Sequence, residues 1–260
     1  MKEKLTLVKV GGAVVEDEQQ LDELLKAFAA IEGKKILVHG GGRRATAVAA
    51  QLGIETQMVG GRRITNRAML DVVTMVYGGL VNKNIVTQLQ AIGLDAIGLT
   101  GPDMNIIQSH RRPLTNGIDY GFVGDVDKVD AAKIARFIEI DAIPVIAPLT
   151  HDGHGHMLNT NADTIASEVA KEMATIYDVS LVFAFEKPGV LSIPDDDSSV
   201  IPLITNDDFS KYVEKGIISG GMIPKIENAL AAVKAGVRKV IITCPSAIDR
   251  QSGTIIQATK

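Results

Sequence analysis

The chain repeats one grammar: a short β-rich run, a cluster of glycines, then a helical pattern. LTLVKV (5–10) runs into Gly11 and Gly12, after which Leu21, Leu24, Leu25, Phe28 and Ile31 recur at helical spacing until Gly33 stops them. KILVH (35–39) runs into Gly40, Gly41 and Gly42, followed by a second helical stretch that ends at Gly53. A longer helical pattern from Asn66 to Ile92 leads into the strand-like LDAIGLT (94–100). NIIQSH (105–110) and FVGDVDKV (122–129) alternate as antiparallel hairpin strands do. Asp130 stands where an N-cap for AAKIARFIEI belongs, and IPVIAPL (143–149) reads as one fully buried strand. Thr164 to Ala174 is helical, LVFAF (181–185) a strand and Asp207 to Lys215 a short helix. A helix opened by SGGMIPKIENAL (219–230) and a final strand, KVIITC (239–244), complete the series. Strands that alternate with helices predict a mostly parallel sheet with both faces covered.

The 260 residues, 46% of them hydrophobic, suffice for one large α/β unit or two closely packed lobes. No Pro/Ser linker divides the chain, and residues 174–179, between a helix and strand LVFAF, are the softest boundary. A net charge of −4 gives no global attraction to nucleic acid or an anionic membrane, so any anion is held by a local site. Aromatic residues are 4% and tryptophan is absent, which argues against base-stacking platforms. The one cysteine, Cys244, excludes an internal disulfide and suits a reducing compartment. The opening LTLV stops at Lys9, too short for a signal peptide, and no run approaches the roughly eighteen apolar residues of a membrane span. A cytoplasmic protein is expected.

Glycines at strand ends let a backbone approach a phosphate, and helix N-termini offer it N–H groups. Three clusters stand in such places: Gly11–Gly12, Gly40–Gly42 and Gly220–Gly221. Neither GxxxxGK[ST] nor GxGxxG occurs, which disfavours P-loop and Rossmann enzymes. Lys9 precedes Gly11 by two residues, and Lys225 follows Gly221 by four. A cation in the first turn of a helix is mildly unfavourable, so Lys225 implies an incoming anion. If both glycine turns face one phosphate chain, the two ammonium groups flank a moving phosphoryl group, whose transfer needs mainly positioning and charge neutralisation.

In MLNTNADTIAS (157–167), Thr160 or Asn161 can cap the following helix, which puts Asp163 in its first turn. An acidic residue is favoured there on structural grounds alone, and an ionised one suits holding lysines or metal-bound water better than taking a proton. VGGRRIT (59–65) places Arg62 and Arg63 ahead of a capping Thr65–Asn66, and a guanidinium fork suits a carboxylate. His151, His154 and His156 fall in THDGHGHML, whose glycines mark a flexible hairpin tip without a cysteine or glutamate, so no metal site is assigned.

Together these residues resemble the amino acid kinase family, and within it the acetylglutamate kinases. The similarity spans nearly the whole chain: KVGGAV (9–14), VHGGG (38–42), GGRRIT (60–65), GFVGDV (121–126), LNTNAD (158–163), PGVL (188–191) and GGMIPKIENAL (220–230). HGGG alone is shared among several such kinases, whereas LNTNAD with GGMIPK is specific to the acetylglutamate branch. The resemblance implies a three-layer αβα sandwich around a mainly parallel sheet of about eight strands. It implies an N-terminal lobe, 1–174, for the acyl amino acid and dimerisation, and a C-terminal lobe, 175–260, for ATP. It makes Lys9 and Lys225 the stabilisers of the transferring phosphoryl and Asp163 the organiser of both. Gly41, Gly42, Arg63 and Asn159 would hold the amino acid substrate. Gly11, Gly12, Glu186, Lys187, Gly189, Leu191, Ile217 and Ser219 would hold ATP, with Mg2+ carried mainly on the nucleotide phosphates. The implied reaction phosphorylates the γ-carboxylate of an N-acylated L-glutamate, as in arginine biosynthesis.

Two stretches depart from the family pattern. After LVFAF the family usually has Ser/Thr-Asp, where this chain has Phe185–Glu186–Lys187. The segment GLTGPDMNIIQSHRRP (98–113) differs around Pro102 and Met104 and carries Arg111–Arg112, near the acyl pocket of relatives, so a succinyl group stands beside acetyl as the acyl group. A start almost at the first strand, without the helical extension that relatives use for arginine-inhibited hexamers, gives the expectation of an arginine-insensitive homodimer. A sister kinase acting on aspartate, glutamate, carbamate or UMP, and a non-catalytic amino acid or nucleotide sensor, are the competing readings.

Overall fold

The structure, a computed structural model, describes residues 2–220, 222–250 and 252–258. Its strands are β1 (Lys4–Val10), β2 (Lys34–His39), β3 (Met58–Val59), β4 (Arg62–Arg63), β5 (Ala96–Leu99), β6 (Ile107–Arg111), β7 (Gly124–Val129), β8 (Ile143–Ile146), β9 (Leu149–His151), β10 (Met157–Asn159), β11 (Asp178–Ala184), β12 (Leu203–Ile204), β13 (Lys239–Thr243) and β14 (Thr254–Ile256). The α-helices are α1 (Gly12–Glu16), α2 (Glu18–Ala30), α3 (Gly42–Gln51), α4 (Arg67–Val73), α5 (Asn82–Ala91), α6 (Ala131–Glu139), α7 (Ala162–Met173), α8 (Asn206–Glu214) and α9 (Met222–Lys234). Eight strands form the main sheet, in the order β12-β14-β13-β11-β1-β2-β8-β5. The expected α/β fold with a mostly parallel eight-stranded sheet is what the chain adopts. No helix among the described residues is long and apolar enough to cross a membrane.

The chain groups into two compact units, residues 1–36 with 166–260, and residues 37–165. This grouping counts the first strand and helices with the C-terminal segment. In the first unit, β1 and β11 run parallel from Lys4↔Asp178 to Val10↔Ala184, and β11 continues the pairing onto β13. From Leu5 to Val10 every β1 residue is buried, as a parallel strand covered on both faces requires. Helix α9 lies against β13 and β14. A capping box opens α8: the Thr205 hydroxyl accepts from the Asp208 N–H while the Asp208 carboxylate accepts from the Thr205 N–H.

In the second unit, α5 and α6 lie against β8, which pairs parallel with both β2 and β5. A second sheet, β10-β9-β6-β7, includes the expected antiparallel pair β6–β7. The β3–β4 hairpin turns on Gly60 and Gly61, whose φ values of 56° and 75° meet the left-handed requirement of a type I′ turn. Asp130 caps α6 by accepting from the Lys133 N–H at 3.1 Å.

The helical pattern expected across 66–92 is continuous from Arg67 to Ala91, with a π-helical stretch at Thr74–Val81 between α4 and α5, where Gly78 passes the Leu149 side chain so closely that a Cβ would lie 3.3 Å from it. Two expectations need correction. IPVIAPL is not one strand, because β8 stops at Ile146 and Leu149 begins β9 in the other sheet, with Pro148 between them unable to donate to a ladder. KVIITC is not the last strand, since β14 returns antiparallel to β13. Three residues of strand are too short to leave a periodic signal.

Candidate active site

The first unit gathers two lysines at one aromatic ring. Lys9 lies in β1 and is 6% exposed, and Lys225 lies in the first turn of α9. The ammonium nitrogen of Lys9 is 5.1 Å from the centroid of the Phe185 ring, and that of Lys225 is 3.9 Å from the same centroid. Residues 216 positions apart in sequence therefore bring their charges no farther apart than the sum of those two distances. Phe185 follows β11 directly, donates its N–H to Thr243 O at 2.8 Å, and stacks on Phe183 with centroids 5.9 Å apart and planes 5° from parallel. Gly11 borders the same place: its N–H donates to Ala184 O at 3.3 Å, and a Cβ on it would lie 3.9 Å from the Phe185 ring. Gly12 begins α1.

The other residues assigned to ATP are distributed along the segments that follow β11 and precede α9. Glu186 and Lys187 are exposed. Lys187 lies 3.4 Å from both Asp195 and Asp197, and these carboxylates hold its ammonium pKa above the ordinary lysine value. Gly189 serves close packing, since a Cβ there would lie 2.7 Å from Val200 and 2.8 Å from the Thr254 hydroxyl. Leu191 bridges Val200. Ile217 donates its N–H to Tyr212 O at 2.9 Å, and exposed Ser219 accepts from the Met222 N–H at 3.2 Å. Gly221, from the third glycine cluster, lies outside the described residues.

The second unit builds its glycine turn on a buried phenol, a buried histidine–amide pair and one guanidinium. Gly41 caps α3 and Gly42 begins it. Tyr77, from the π-helical stretch, lies beneath the turn, and a Cβ on Gly41 would lie 3.0 Å from its ring. Burial pushes the Tyr77 phenol pKa above its ordinary value, and the nearby Arg63 charge opposes that. Arg63 donates to Gly42 O at 2.8 Å, to the Thr46 hydroxyl at 2.9 Å and to the Thr56 hydroxyl at 3.3 Å. Its guanidinium is thereby fixed to the carbonyl side of the turn. Asn159, at the end of β10, donates from Nδ2 to the buried Thr65 hydroxyl at 2.9 Å, two residues from Arg63. Asp163 is in the first turn of α7, which Asn161 caps by accepting from the N–H groups of Asp163 and Thr164 at 2.8 and 3.1 Å.

Beneath the same turn lies a pair that sequence reasoning missed. His39 is fully buried, with Nδ1 2.7 Å from Gly40 O and Nε2 3.1 Å from Asn82 Nδ2. A carbonyl only accepts, so Nδ1 carries the proton and Nε2 accepts from the amide. Burial drives the imidazole pKa down to about 4, so the ring is neutral. Asn82 also donates to Val145 O at 2.9 Å. Its Oδ1 faces Gly98, where a Cβ would fall within 1.8 Å. A polar residue at an apolar position of the helical pattern, Asn82 between Val81 and Ile85, was the signal to read.

The histidines of the β9–β10 hairpin remain on its exposed tip, with His151 bonded to Asn105 and His156 to Asp152. No group of three or more His, Cys, Asp or Glu residues fit to hold a metal occurs among the described residues.

The chain is similar to known proteins over nearly its whole length. The amino acid kinase family matches residues 4–244. An acetylglutamate kinase of Phocaeicola vulgatus is 62% identical over 257 residues, covering 99% of this chain and 100% of that protein. The crystal structure of smu.665 from Streptococcus mutans UA159 superposes with a TM-score of 0.80 at 28% identity, covering 98% of this chain and 99% of the other. A carbamate kinase of Giardia lamblia bound to AMP-PNP gives 0.69 at 14% identity, with 99% of each chain covered, a likeness of fold alone.

Proposed function

The chain belongs to the amino acid kinase family, and from that premise we propose that it transfers the γ-phosphoryl group of ATP to the γ-carboxylate of an N-acylated L-glutamate, N-acetyl-L-glutamate first, as a step of arginine biosynthesis. The observation that carries this reading is the meeting of Lys9 and Lys225 at the Phe185 ring beside the Gly11 turn. A concentration of positive charge at a glycine turn suits a polyphosphate. The acceptor needs no general base, because a glutamate side chain free in water titrates at about pH 4.3 and is already ionised at neutral pH. The obstacle is repulsion between two anions, which the two ammonium groups relieve as charge spreads over the moving phosphoryl. Mg2+ carried on the nucleotide phosphates would add further neutralisation to that of the two lysines.

In this reading Gly41, Gly42, Arg63 and Asn159 hold the acyl amino acid, and Glu186 to Leu191 with Ile217 and Ser219 border the nucleotide. The locking of Arg63 to Gly42 O supports a preset carboxylate grip that loses little side-chain entropy on binding. One observation favours succinyl as a second acyl group: the guanidinium groups of Arg67 and Arg111 lie 6.0 and 5.5 Å from the Phe122 ring. Arg111 and Arg112 are engaged by Asp119 and Asp125, whereas the Arg67 side chain is 71% exposed and only 3.7 Å from Asp71. A carboxylate on the acyl group would find its partner in Arg67.

ADP release on a panel of N-acetylglutamate, N-succinylglutamate, glutamate, aspartate, carbamate and UMP, with hydroxylamine trapping of the acyl phosphate, tests the reading. Turnover confined to acylated glutamates is expected, and turnover of another acceptor, or none, overturns it. We also propose a homodimer, supported by the exposed Met75 and Leu80 in the π-helical stretch Thr74–Val81. A monomer by light scattering at micromolar concentration overturns that assignment.

A further inference from the structure

The Asn82 amide nitrogen meets two acceptors, Val145 O at 2.9 Å and His39 Nε2 at 3.1 Å, so both of its hydrogens are engaged and its orientation is set. The imidazole then carries its proton on Nδ1, which lies 2.7 Å from Gly40 O. A trans peptide unit holds its carbonyl and its N–H on opposite sides, and no cis bond occurs among the described residues. Pinning Gly40 O beneath the turn therefore points the Gly41 N–H away from the imidazole. Gly41 caps α3, whose first N–H groups have no acceptor within the helix.

Packing alone does not account for the amide. Asn82 is 1% exposed, and its Oδ1 is buried with no hydrogen-bond partner among the described residues. An unpaired buried acceptor destabilises a fold, and a leucine of similar size would avoid it. What leucine lacks is the nitrogen that faces His39. We propose that His39 and Asn82 are positioning residues, a relay from amide to imidazole to the Gly40 carbonyl that aims the Gly41 N–H at a carboxylate oxygen of the acyl amino acid. Both side chains are buried and act through the backbone. This assignment rests on the reading given above, in which Gly41 and Gly42 hold that substrate, but the geometry of the relay is testable apart from it.

Steady-state kinetics on both substrates, with the acceptor that passes the substrate panel, test the relay. Asn82→Leu and His39→Leu should raise KM for the acyl amino acid by about tenfold, the share of one hydrogen bond to a charged group. KM for ATP should change less than about twofold, a split that general loosening of the fold does not produce. Asparagine carries its amide nitrogen as many bonds from Cα as histidine carries Nδ1. His39→Asn therefore keeps a donor for Gly40 O and should hold KM within about threefold of wild type. Asn82→Leu carries the kinetic test alone if His39→Leu fails to fold. An unchanged KM in Asn82→Leu, equal rises for both substrates, or a His39→Asn enzyme as impaired as His39→Leu overturns the proposal.

A second readout does not depend on activity. In 15N-histidine-labelled enzyme at neutral pH the His39 ring, assigned with His39→Asn, should show a protonated Nδ1 and a bare Nε2. The opposite tautomer overturns the relay even if the kinetics follow the expected split. In 15N-glycine-labelled enzyme the Gly41 amide proton should move downfield on addition of N-acetylglutamate or N-succinylglutamate, whichever is turned over, and move less in Asn82→Leu. A Gly41 signal that the accepted substrate leaves in place overturns the aim. A wild-type enzyme that turns over none of the panel overturns the kinase reading and the carboxylate partner with it, while the tautomer still decides the relay.

Discussion

The two glycine turns with described surroundings arise from the same strand–glycine–helix grammar, yet they rest on opposite kinds of chemistry. The turn after β1 borders two cationic side chains at an aromatic ring. Beneath the turn after β2 lie a neutral imidazole, an amide and a buried phenol, and its one charged partner, Arg63, is bound to the Gly42 carbonyl. Charge at the first is suited to a chemical step in which charge moves, because electrostatic stabilisation acts where it develops. Neutral support at the second suits a backbone that must keep its shape, since buried neutral groups hold hydrogen bonds without long-range fields. Glycine spacing alone does not distinguish a turn that acts from a turn that holds. The side chains beneath it do.

The largest expected effect tests the first turn. Lys225→Ala should lower kcat by about 10²–10³-fold, with KM for either substrate changed far less. Steady-state kinetics on both substrates read this directly, and normal turnover would remove Lys225 from the mechanism. Gly42 is anchored through its carbonyl, so a change in its partner Arg63 should show the reverse pattern. Arg63→Ala is expected to raise KM for the acyl amino acid more than it lowers kcat. Similar profiles for both variants would break the distinction between the two turns.

The next effect probes the neutral support by acid. The folded pKa of His39 is lowered from 6.5 to about 4, so the unfolded chain takes up a proton first as pH falls. Stability due to neutral His39 is present above pH 6.5 and is lost as pH falls toward 4, by about 3 kcal/mol in all. Denaturant unfolding at pH 7 and pH 4 measures the loss. His39→Asn, which cannot titrate there, should be less stable at pH 7 but show a smaller difference between the two pH values. An equal difference in both proteins would rule out His39 as the source.

Much of this architecture was legible because the strands of a parallel sheet are buried on both faces and leave uninterrupted apolar runs. LTLVKV, KILVH and LVFAF announced themselves in that way. What stayed hidden depends on distance in space. Leu203–Ile204 and Thr254–Ile256 are too short for periodicity and become strands only because β13 and each other supply the pairing. The π-helical stretch at Thr74–Val81 arises where Gly78 meets Leu149, a contact no local pattern encodes. At the site, motifs marked the lysines, glycines and Arg63, while Phe185 registered only as a departure from a pattern. His39 and Asn82 are 43 positions apart and each looked ordinary. Their partnership appears only when β2 and α5 are folded against each other.

A smaller effect tests how tightly that partnership is packed. A methyl group at Gly98 would enter the space of Asn82 Oδ1, so Gly98→Ala should cost about 1–3 kcal/mol of stability. In an Asn82→Ala background the same change should cost less, because the side chain it meets is gone. Unfolding free energies for the two single variants and the double variant give the coupling. Full additivity would mean that the methyl group is accommodated without displacing the amide.

The smallest effect lies on the alkaline side of the same turn. Tyr77 packs its ring against Gly41, and burial raises its pKa above 10.0 despite the opposing pull of Arg63. The unfolded chain therefore loses its phenolic proton first, and the stability contributed by the neutral phenol is present below pH 10 and lost as pH rises through the folded value. Tyr77→Phe keeps the ring that fills the space under the turn and removes only the hydroxyl. It should cost about 1 kcal/mol or less at pH 7 and flatten the decline above pH 10 relative to wild type. With His39 failing at the acid end and Tyr77 at the alkaline end, the turn after β2 is most stable while both stay uncharged. A Tyr77→Phe protein with an unchanged alkaline slope would place the titrating group elsewhere and leave the neutral-support account resting on His39 alone.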